Sequence, residues 1–387
     1  MLTMRIRFTL LALSLAASCT HLSHAEILNA KPGDNLALIA AKAKPGDEIV
    51  LAAGVYGSTT LTNIRGEAGK LITIRGPKGQ PFFAEFDAKN TAYALRLEQC
   101  TFIQVQDLIM WDATDAALDV KTLGPKSEQV MLRNIGFGFR NTSRDSIGIR
   151  VSGVRGLTID QCRVNGVTGA AVHIEHTEQA IISALDCSPR AKSPQQVGIV
   201  VAGPSQDVII TRCVFRWGVK TTLSIGVQYD SAEILEAIPL VNRCTVTEVR
   251  ADAPSCFLEL GSVTGLKVSQ SSVLDAQGKL YSITAPPKDR PGVEGNLDHL
   301  LFTWTPGFLK QFASVDEKVD ASKLTLGANL FWSEELPQAM KILGTMPGSL
   351  LSPQITNVDP KIDTRGVATN SAARGFGLTD PGPSKPG

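Results

Sequence analysis

The sequence predicts an all-β solenoid, a stack of coils built from short parallel strands, and three observations carry that prediction. First, nine apolar runs, QVQDLIM, VMLRNIGF, TIDQCRV, ISALDCS, IITRCVF, LVNRCTV, KVSQSSV, NLDHLLF and LGANLFW, align on one position at spacings of 25 to 31 residues. That is enough chain for one coil of two or three short strands and their turns. Second, upstream of these runs lie five-residue segments with apolar alternation, ALRLE, ALDVK, GIRVS, VHIEH, GIVVA, IGVQY and FLELG, the period of a half-buried strand. Third, only 6% of the 387 residues are aromatic while short Val/Ile/Leu runs abound. A chain of this length exceeds an ordinary single core, yet an elongated repeat holds it as one domain.

In chain order, residues 1–25, MLTMRIRFTLLALSLAASCTHLSHA, join Arg5 and Arg7 to an apolar run over 8–17 and a small-residue end at 23–25. That order is the pattern of a secretory signal peptide cleaved after Ala25, so a secreted or periplasmic protein is expected. Ala16-Ala17-Ser18-Cys19 also forms a degenerate lipoprotein box, which offers anchoring at Cys19 as an alternative. Cleavage after Ala25 removes two arginines and no acid, leaving 36 basic against 37 acidic residues. This balance gives no electrostatic footprint for nucleic acid. No later run nears the ~20 apolar residues of a membrane span.

Residues 35–61, NLALIAAKAKPGDEIVLAAGVYGSTTL, read as an amphipathic helix with Asp34 as N-cap, a turn at Pro45-Gly46-Asp47, and strands. The coils follow. Their aligned positions, Asp107, Asn134, Cys162, Cys187, Cys213, Cys244, Ser271, Leu300 and Asn329, favour small or amide side chains. Such side chains suit ladders in coils stacked about 4.8 Å apart. Four consecutive cysteines in one column predict buried free thiols, because parallel Cβ vectors at that spacing are too far apart for a relaxed disulfide. After Trp332 the pattern stops. Residues 333–344, SEELPQAMKILG, read as a short helix, residues 357–377 as an irregular end and residues 381–387, PGPSKPG, as a disordered tail. The domains expected are a β-helix with its cap over 26–335, a helix and irregular segment over 336–380, and the tail.

The composite unit, Gly-Ile-x-Val, a turn, then Val-x-Ile-x-x-Cys/Asn, resembles the repeat of secreted right-handed parallel β-helix proteins, the pectate-lyase-like superfamily, over residues 36–332. The opening, a helix cap, then Pro-Gly-Asp, then an apolar strand ending in Gly-x-Tyr, is similar to the chondroitinase B and alginate lyase type of polysaccharide lyases. The resemblance implies a single-stranded right-handed parallel β-helix whose Gly-Ile-x-Val strands border a sugar groove. It also implies an acidic polysaccharide as partner, with a monomer as the expected state. No specific metal site is read. Calcium held by Asp119, Glu98 or Glu175 is the one ion the resemblance supports, because lyases of this kind often use it.

Period two assigns the faces: in VHIEH, Val172 and Ile174 point inward while His173 and Glu175 point outward. The outward residue on successive coils is Arg96, Asp119, Arg150, His173, Val200, Gly226 and Glu259. Two residues on it is Glu98, Lys121, Ser152, Glu175, Ala202, Gln228 and Gly261. Polar residues gather on the first four coils. One reading makes Arg96, Lys121, Arg150 and His173 a cationic strip for an acidic sugar chain, with Asp119, Glu98 and Glu175 orienting them. Lytic cleavage of a uronate needs its carboxylate neutralised, which acidifies C5, and a base to remove that proton. Arg150 suits the first task, and His173 or Lys121 the second. The other reading makes Arg96, Asp119, Arg150 and Glu175 alternating-sign cross-strand pairs that keep an exposed sheet soluble. It goes with a noncatalytic polysaccharide-binding or cell-envelope β-helix.

Weaker signals complete the reading. His173 and Glu175 lie about 6.6 Å apart along a strand, too far to chelate one ion without a third ligand, and the Pro-Cys-x-x-Cys partner of a zinc deaminase is missing. Asp115 and Asp145 superficially resemble the acids of polygalacturonase-type hydrolases, but the Asp-Asp pair and the Gly-His-Gly element are absent. Trp217 and Lys220, in CVFRWGVKT, could overhang the groove as a platform for sugars. The Asn-rich catalytic run of alginate and chondroitin lyases and the Asp-Pro-His-Glu run of mannuronan epimerases are also absent. β-Elimination leads, with binding, hydrolysis and epimerisation as alternatives.

Overall fold

The computed structural model describes residues 25–77, 79, 83–139, 146–189, 195–227, 240–286, 290–334 and 358–379. The leader with Cys19, Asp145, Gln228, most of the expected helix over 333–344 and the tail over 381–387 lie outside the described residues. Each coil visits three sheets in the same order. Tyr93–Glu98 lies in the sheet that will carry the groove, Ile103–Gln106 in a second sheet, Ile109–Trp111 in a third, and Ala116–Lys121 returns to the first. Among the described residues the groove sheet has 10 strands, the second 12 and the third 11. Neighbouring strands pair in parallel, as Asp119 with Arg150 and Arg150 with His173. This is the parallel β-helix that the repeat predicts, with the right hand that parallel crossovers take.

The core is a set of ladders. Ile103, Val130, Leu157, Ala180, Val208 and Cys244 succeed one another in the second sheet, all essentially inaccessible to water. Each such side chain contributes about 1.5–3 kcal/mol of burial free energy if large and aliphatic. The groove strands add a further inward position just before their alternating stretch. Ala94, Ala117, Gly148, Ala171, Gly198 and Thr222 occupy it. A Cβ on Gly198 would lie 2.3 Å from the Phe215 ring, so the glycine of Gly-Ile-x-Val makes room for a core aromatic. Further along, Phe257, Leu280 and Phe312 fill that position, where Phe257, Tyr281, Phe302, Phe312 and Phe331 pack as one aromatic cluster.

The N-terminal cap differs in detail from expectation. Its helix spans only Leu36–Ala40, and Asn35 caps it by accepting from the Leu38 N–H at 3.1 Å. Asp34 instead accepts from Lys31 N at 2.9 Å. The Pro-Gly-Asp and Gly-x-Tyr signatures are structural bolts. Buried Asp47 accepts from Glu26 N and Lys44 N at 2.8 and 2.7 Å, which pulls the chain out of the helix into the turn. The Tyr56 hydroxyl donates to the Ala30 and Ala52 carbonyls, and burial pushes its pKa up to about 12.

All six described cysteines are free and buried, as expected, but they do not form one column. Cys162 and Cys213 follow left-handed corner residues, Gln161 and Arg212, at φ of 54° each. Cys187 lies on the third sheet, Cys244 in the aliphatic ladder of the second and Cys256 on the groove sheet. The alignment mixed the left-handed corner residue, the residue after it and, at Cys187 and Cys244, positions inside strands. Asp107 and Asn134 are themselves left-handed, at φ of 59° and 50°, and Asn134 Nδ2 donates to Asp107 Oδ1 at 2.7 Å. The position after the corner has its own logic, since a bend leaves backbone groups without ladder partners. Cys213 Sγ donates back to Thr211 O, Ser271 Oγ to Ser269 O, and Asn329 Nδ2 to Gly327 O. His176 is such a corner residue on the groove side, at φ of 50° and exposed, followed by Thr177, whose hydroxyl donates to Glu175 O at 2.8 Å.

Candidate functional site

The strands Tyr93–Glu98, Ala116–Lys121, Ile147–Ser152, Ala170–Glu175 and Gln195–Val201 floor a groove of about 650 Å³. Arg96, Asp119, Lys121, Arg150, Ser152, His173, Glu175 and Val200 line it, joined by Tyr93, Asp115, Ile147, Ala170, Gln196 and Val197. The parallel register sets the outward ladder Arg96–Asp119–Arg150–His173–Val200 that alternation predicts. Beyond Val200 the ladder continues through Ser224, Glu259 and Ser282. Gly226 therefore falls two residues past its assigned place, because the strand is Val219–Ile225 and not IGVQY. A slip of two keeps every side chain on its face, so the pattern could not reveal it.

Arg150 is the most heavily bound side chain of the floor. Its Nε donates to Asp119 Oδ1 at 2.7 Å, and Nη1 and Nη2 grip Asp115 at 2.9 and 2.8 Å. Nη2 also donates to the Tyr93 hydroxyl at 3.4 Å. Burial opposes its charge, yet the bonds to Asp115 and Asp119 hold its pKa above the usual arginine range. Asp119, 1% exposed, meets Arg96 Nε at 3.2 Å through its other oxygen. Arg96 in turn sits 4.7 Å from the Tyr93 ring centroid and 3.6 Å from Glu98. Glu98 lies beside the groove, in register with Lys121.

This network corrects the expectation of a cationic strip. Among the described residues the lining holds three cations, Arg96, Lys121 and Arg150, against three carboxylates, Asp115, Asp119 and Glu175. Both guanidiniums are neutralised from within, as in the alternating-sign reading. Among the described residues the side chains of Lys121 and Glu175 carry no ion pair or hydrogen bond. They flank Ser152 in the next ladder position, so the unpaired charges of the floor lie within two strands of one another and beside His173.

Of the three carboxylates named for calcium, Glu175 is without an ion pair among the described residues and the other two are bonded within the protein. Asp119 is committed to two arginines and Glu98 to Arg96. Among the described residues, no three His, Cys, Asp or Glu side chains gather as a metal site. Trp217 is 69% exposed at a turn and is not part of the groove lining. Lys220 stands at the rim, donating to Gln196 at 3.0 Å. Sequence reasoning missed Tyr93, Ile147, Ala170 and Val197 because strict alternation breaks where two successive residues, such as Ala94 and Leu95, both turn inward. An aromatic one residue ahead of an apolar pair is the signal that could have found Tyr93.

No protein-family model and no curated protein sequence matches the chain. Among solved structures it is similar to a PL6 family alginate lyase, AlyGC, at 13% identity and a TM-score of 0.47, over 91% of this chain and 56% of that one. It is also similar to a GH136 lacto-N-biosidase from Eubacterium ramulus, at 9% identity and 0.48, over 87% of this chain and 66% of that one. A pectate lyase matches at 14% identity and 0.39, over 79% and 80%. The chain thus spans about half the length of the alginate lyase and two thirds of the biosidase. Identities this low leave substrate and reaction to the chemistry of the groove.

Proposed function

We propose that this β-helix binds an acidic polysaccharide along the groove sheet and cleaves it by β-elimination. The observation that carries the reading is the meeting of Lys121, His173 and Glu175 on one floor whose arginines are held rigid by Asp115 and Asp119. Lys121, a lining cation with no internal partner among the described residues, neutralises the uronate carboxylate, a task first assigned to Arg150. Neutralisation acidifies the C5 proton, which His173 removes as general base. A C4–C5 double bond forms as the C4–O bond breaks, and the departing oxygen takes a proton from water or a groove donor. Arg150 positions the floor and buttresses Tyr93. Arg96, Trp217 and Lys220 extend sugar contacts along and above the floor.

Incubating the protein with alginate, pectate and chondroitin while following the ultraviolet absorbance of the unsaturated product tests this reading. Product from at least one polymer is expected. The internally neutralised Arg96–Asp119–Arg150 chain favours a second reading, a noncatalytic binding groove. That reading is supported by measurable affinity for an acidic polymer with no unsaturated product.

A further inference from the structure

We infer that a cleft near the far end of the stack, apart from the groove, is a binding site for a tetrahedral oxyanion, a phosphoryl or sulfuryl group. The cleft, of about 280 Å³, opens where the chain leaves the groove sheet for the second sheet, between the strands Gly278–Ile283 and Val293–Asp298 and, one coil on, Leu309–Val315 and Leu324–Leu326. These coils lie three and four strands beyond Gln195–Val201, the last strand of the groove floor. The cleft is smaller than the roughly 300–1,000 Å³ of pockets that enclose drug-sized ligands. A single charged group suits it better than a sugar chain.

Three cations reach the cleft from two successive coils. Arg290, 8% exposed, stands in its wall just ahead of Val293–Asp298, and Lys318 and Lys323 lie on the turn that leads into Leu324–Leu326. A guanidinium is seldom buried without acceptors around it, and its planar fork takes two oxygens of one anion. Arg290 holds a contact within the protein as well, and a guanidinium has donors enough for a second acceptor. Among the described residues Lys318 and Lys323 make no ion pair or side-chain hydrogen bond. Of the acids beside them, Asp320 is engaged by Ser322, whose hydroxyl and N–H hold its carboxyl below the usual carboxylate range. Glu294 is exposed, with no ion pair among the described residues. A bulge opens the sheet at this point: between the pairs Val263 with Val293 and Leu266 with Gly295, both Thr264 and Gly265 oppose Glu294 alone. The extra residue leaves backbone groups outside the ladder, a device common beside functional sites. Donors set on different sides of a small cleft match oxygens that point in different directions, as those of phosphate and sulfate do.

Calorimetric titration of the full chain with inorganic phosphate and, separately, with inorganic sulfate, in chloride at fixed ionic strength, tests the site. One equivalent is expected to bind with a dissociation constant of about 1 mM or tighter. Tighter phosphate points to a phosphorylated partner and tighter sulfate to a sulfated one, and either supports the inference. The double variant Lys318→Ala, Lys323→Ala is expected to weaken binding by about tenfold or more, with an unchanged melting temperature in chloride because both side chains are exposed. Glu294→Gln is expected to tighten binding by removing a like charge, a gain that misfolding cannot produce. Groove affinity for an acidic polymer is expected to be the same in all three proteins. No heat from either ion, or an affinity that the lysine pair or Glu294→Gln leaves unchanged, would overturn the inference.

Discussion

Asp119 shows how one residue can organise a site without taking part in its chemistry. Almost fully buried, it receives Arg150 on one oxygen and faces Arg96 on the other. Asp119→Ala leaves two half-buried guanidiniums short of a counterion. Breaking a buried pair costs about 3–5 kcal/mol, and because both arginines keep partial contact with water a loss of about 2–4 kcal/mol is expected in urea unfolding. The thiols report on the core in the same way. Burial pushes Cys162, Cys213, Cys244 and Cys256 from 9.0 up to about 12 and Cys100 to about 11. Below pH 9 the folded and unfolded thiols are both protonated and stability is unaffected. Between about pH 9 and 12 the unfolded chain releases protons that the folded chain retains, so stability falls as pH rises. Melting temperature should drop over that window, and Cys244→Val, which keeps the aliphatic ladder, should flatten the drop. An unchanged slope would assign the alkaline loss to other groups.

At the scale of the strand, the faces were legible because burial on one side imposes period two. ALRLE, ALDVK, GIRVS, VHIEH, GIVVA and FLELG lie in the register that alternation assigns. What stayed hidden follows from the same physics. A slip of two residues at Val219–Ile225 changes no face, and the inward pair at the start of each groove strand interrupts the alternation and conceals Tyr93. The corners were read as a single column, although the left-handed residue and its inward neighbour answer to different demands. Asn329 illustrates the second. Its Oδ1 accepts from Leu300 N at 2.9 Å and its Nδ2 donates to Leu297 O and Gly327 O. Asn329→Leu strands those groups inside the bend, and a loss of about 1–3 kcal/mol is expected, against a near-neutral Cys213→Ser, which retains a donor. Equal losses at both sites would mean that volume, not hydrogen bonding, governs the corners.

For the whole molecule, a stack of coils must end, and the chain covers its last turns with its own C-terminal segment. Ala368, Ala373 and Phe376 pack on Leu301, Leu330 and Trp332, while Ser272 Oγ donates to Gly366 O and accepts from Leu378 N. Sequence reading saw only an irregular end here, because such docking has no period. Ala373→Asp places a carboxylate in that apolar seam and should expose residues 358–379 to limited proteolysis at a temperature where the coils stay folded. The apolar seam lies on the third sheet and the groove on the first, so ligand affinity should not change. The coils themselves serve the site by repeating one strand geometry, which sets Lys121, His173 and Glu175 at fixed intervals along the floor. The most direct test of that claim is the initial rate of unsaturated-product formation by Lys121→Ala relative to the wild-type protein, on whichever acidic polymer the latter cleaves. A fall of about 100-fold or more with an unchanged melting temperature is expected, the scale of removing one preorganised electrostatic contact. A rate equal to wild type, or no product from any acidic polymer by either protein, would contradict the account.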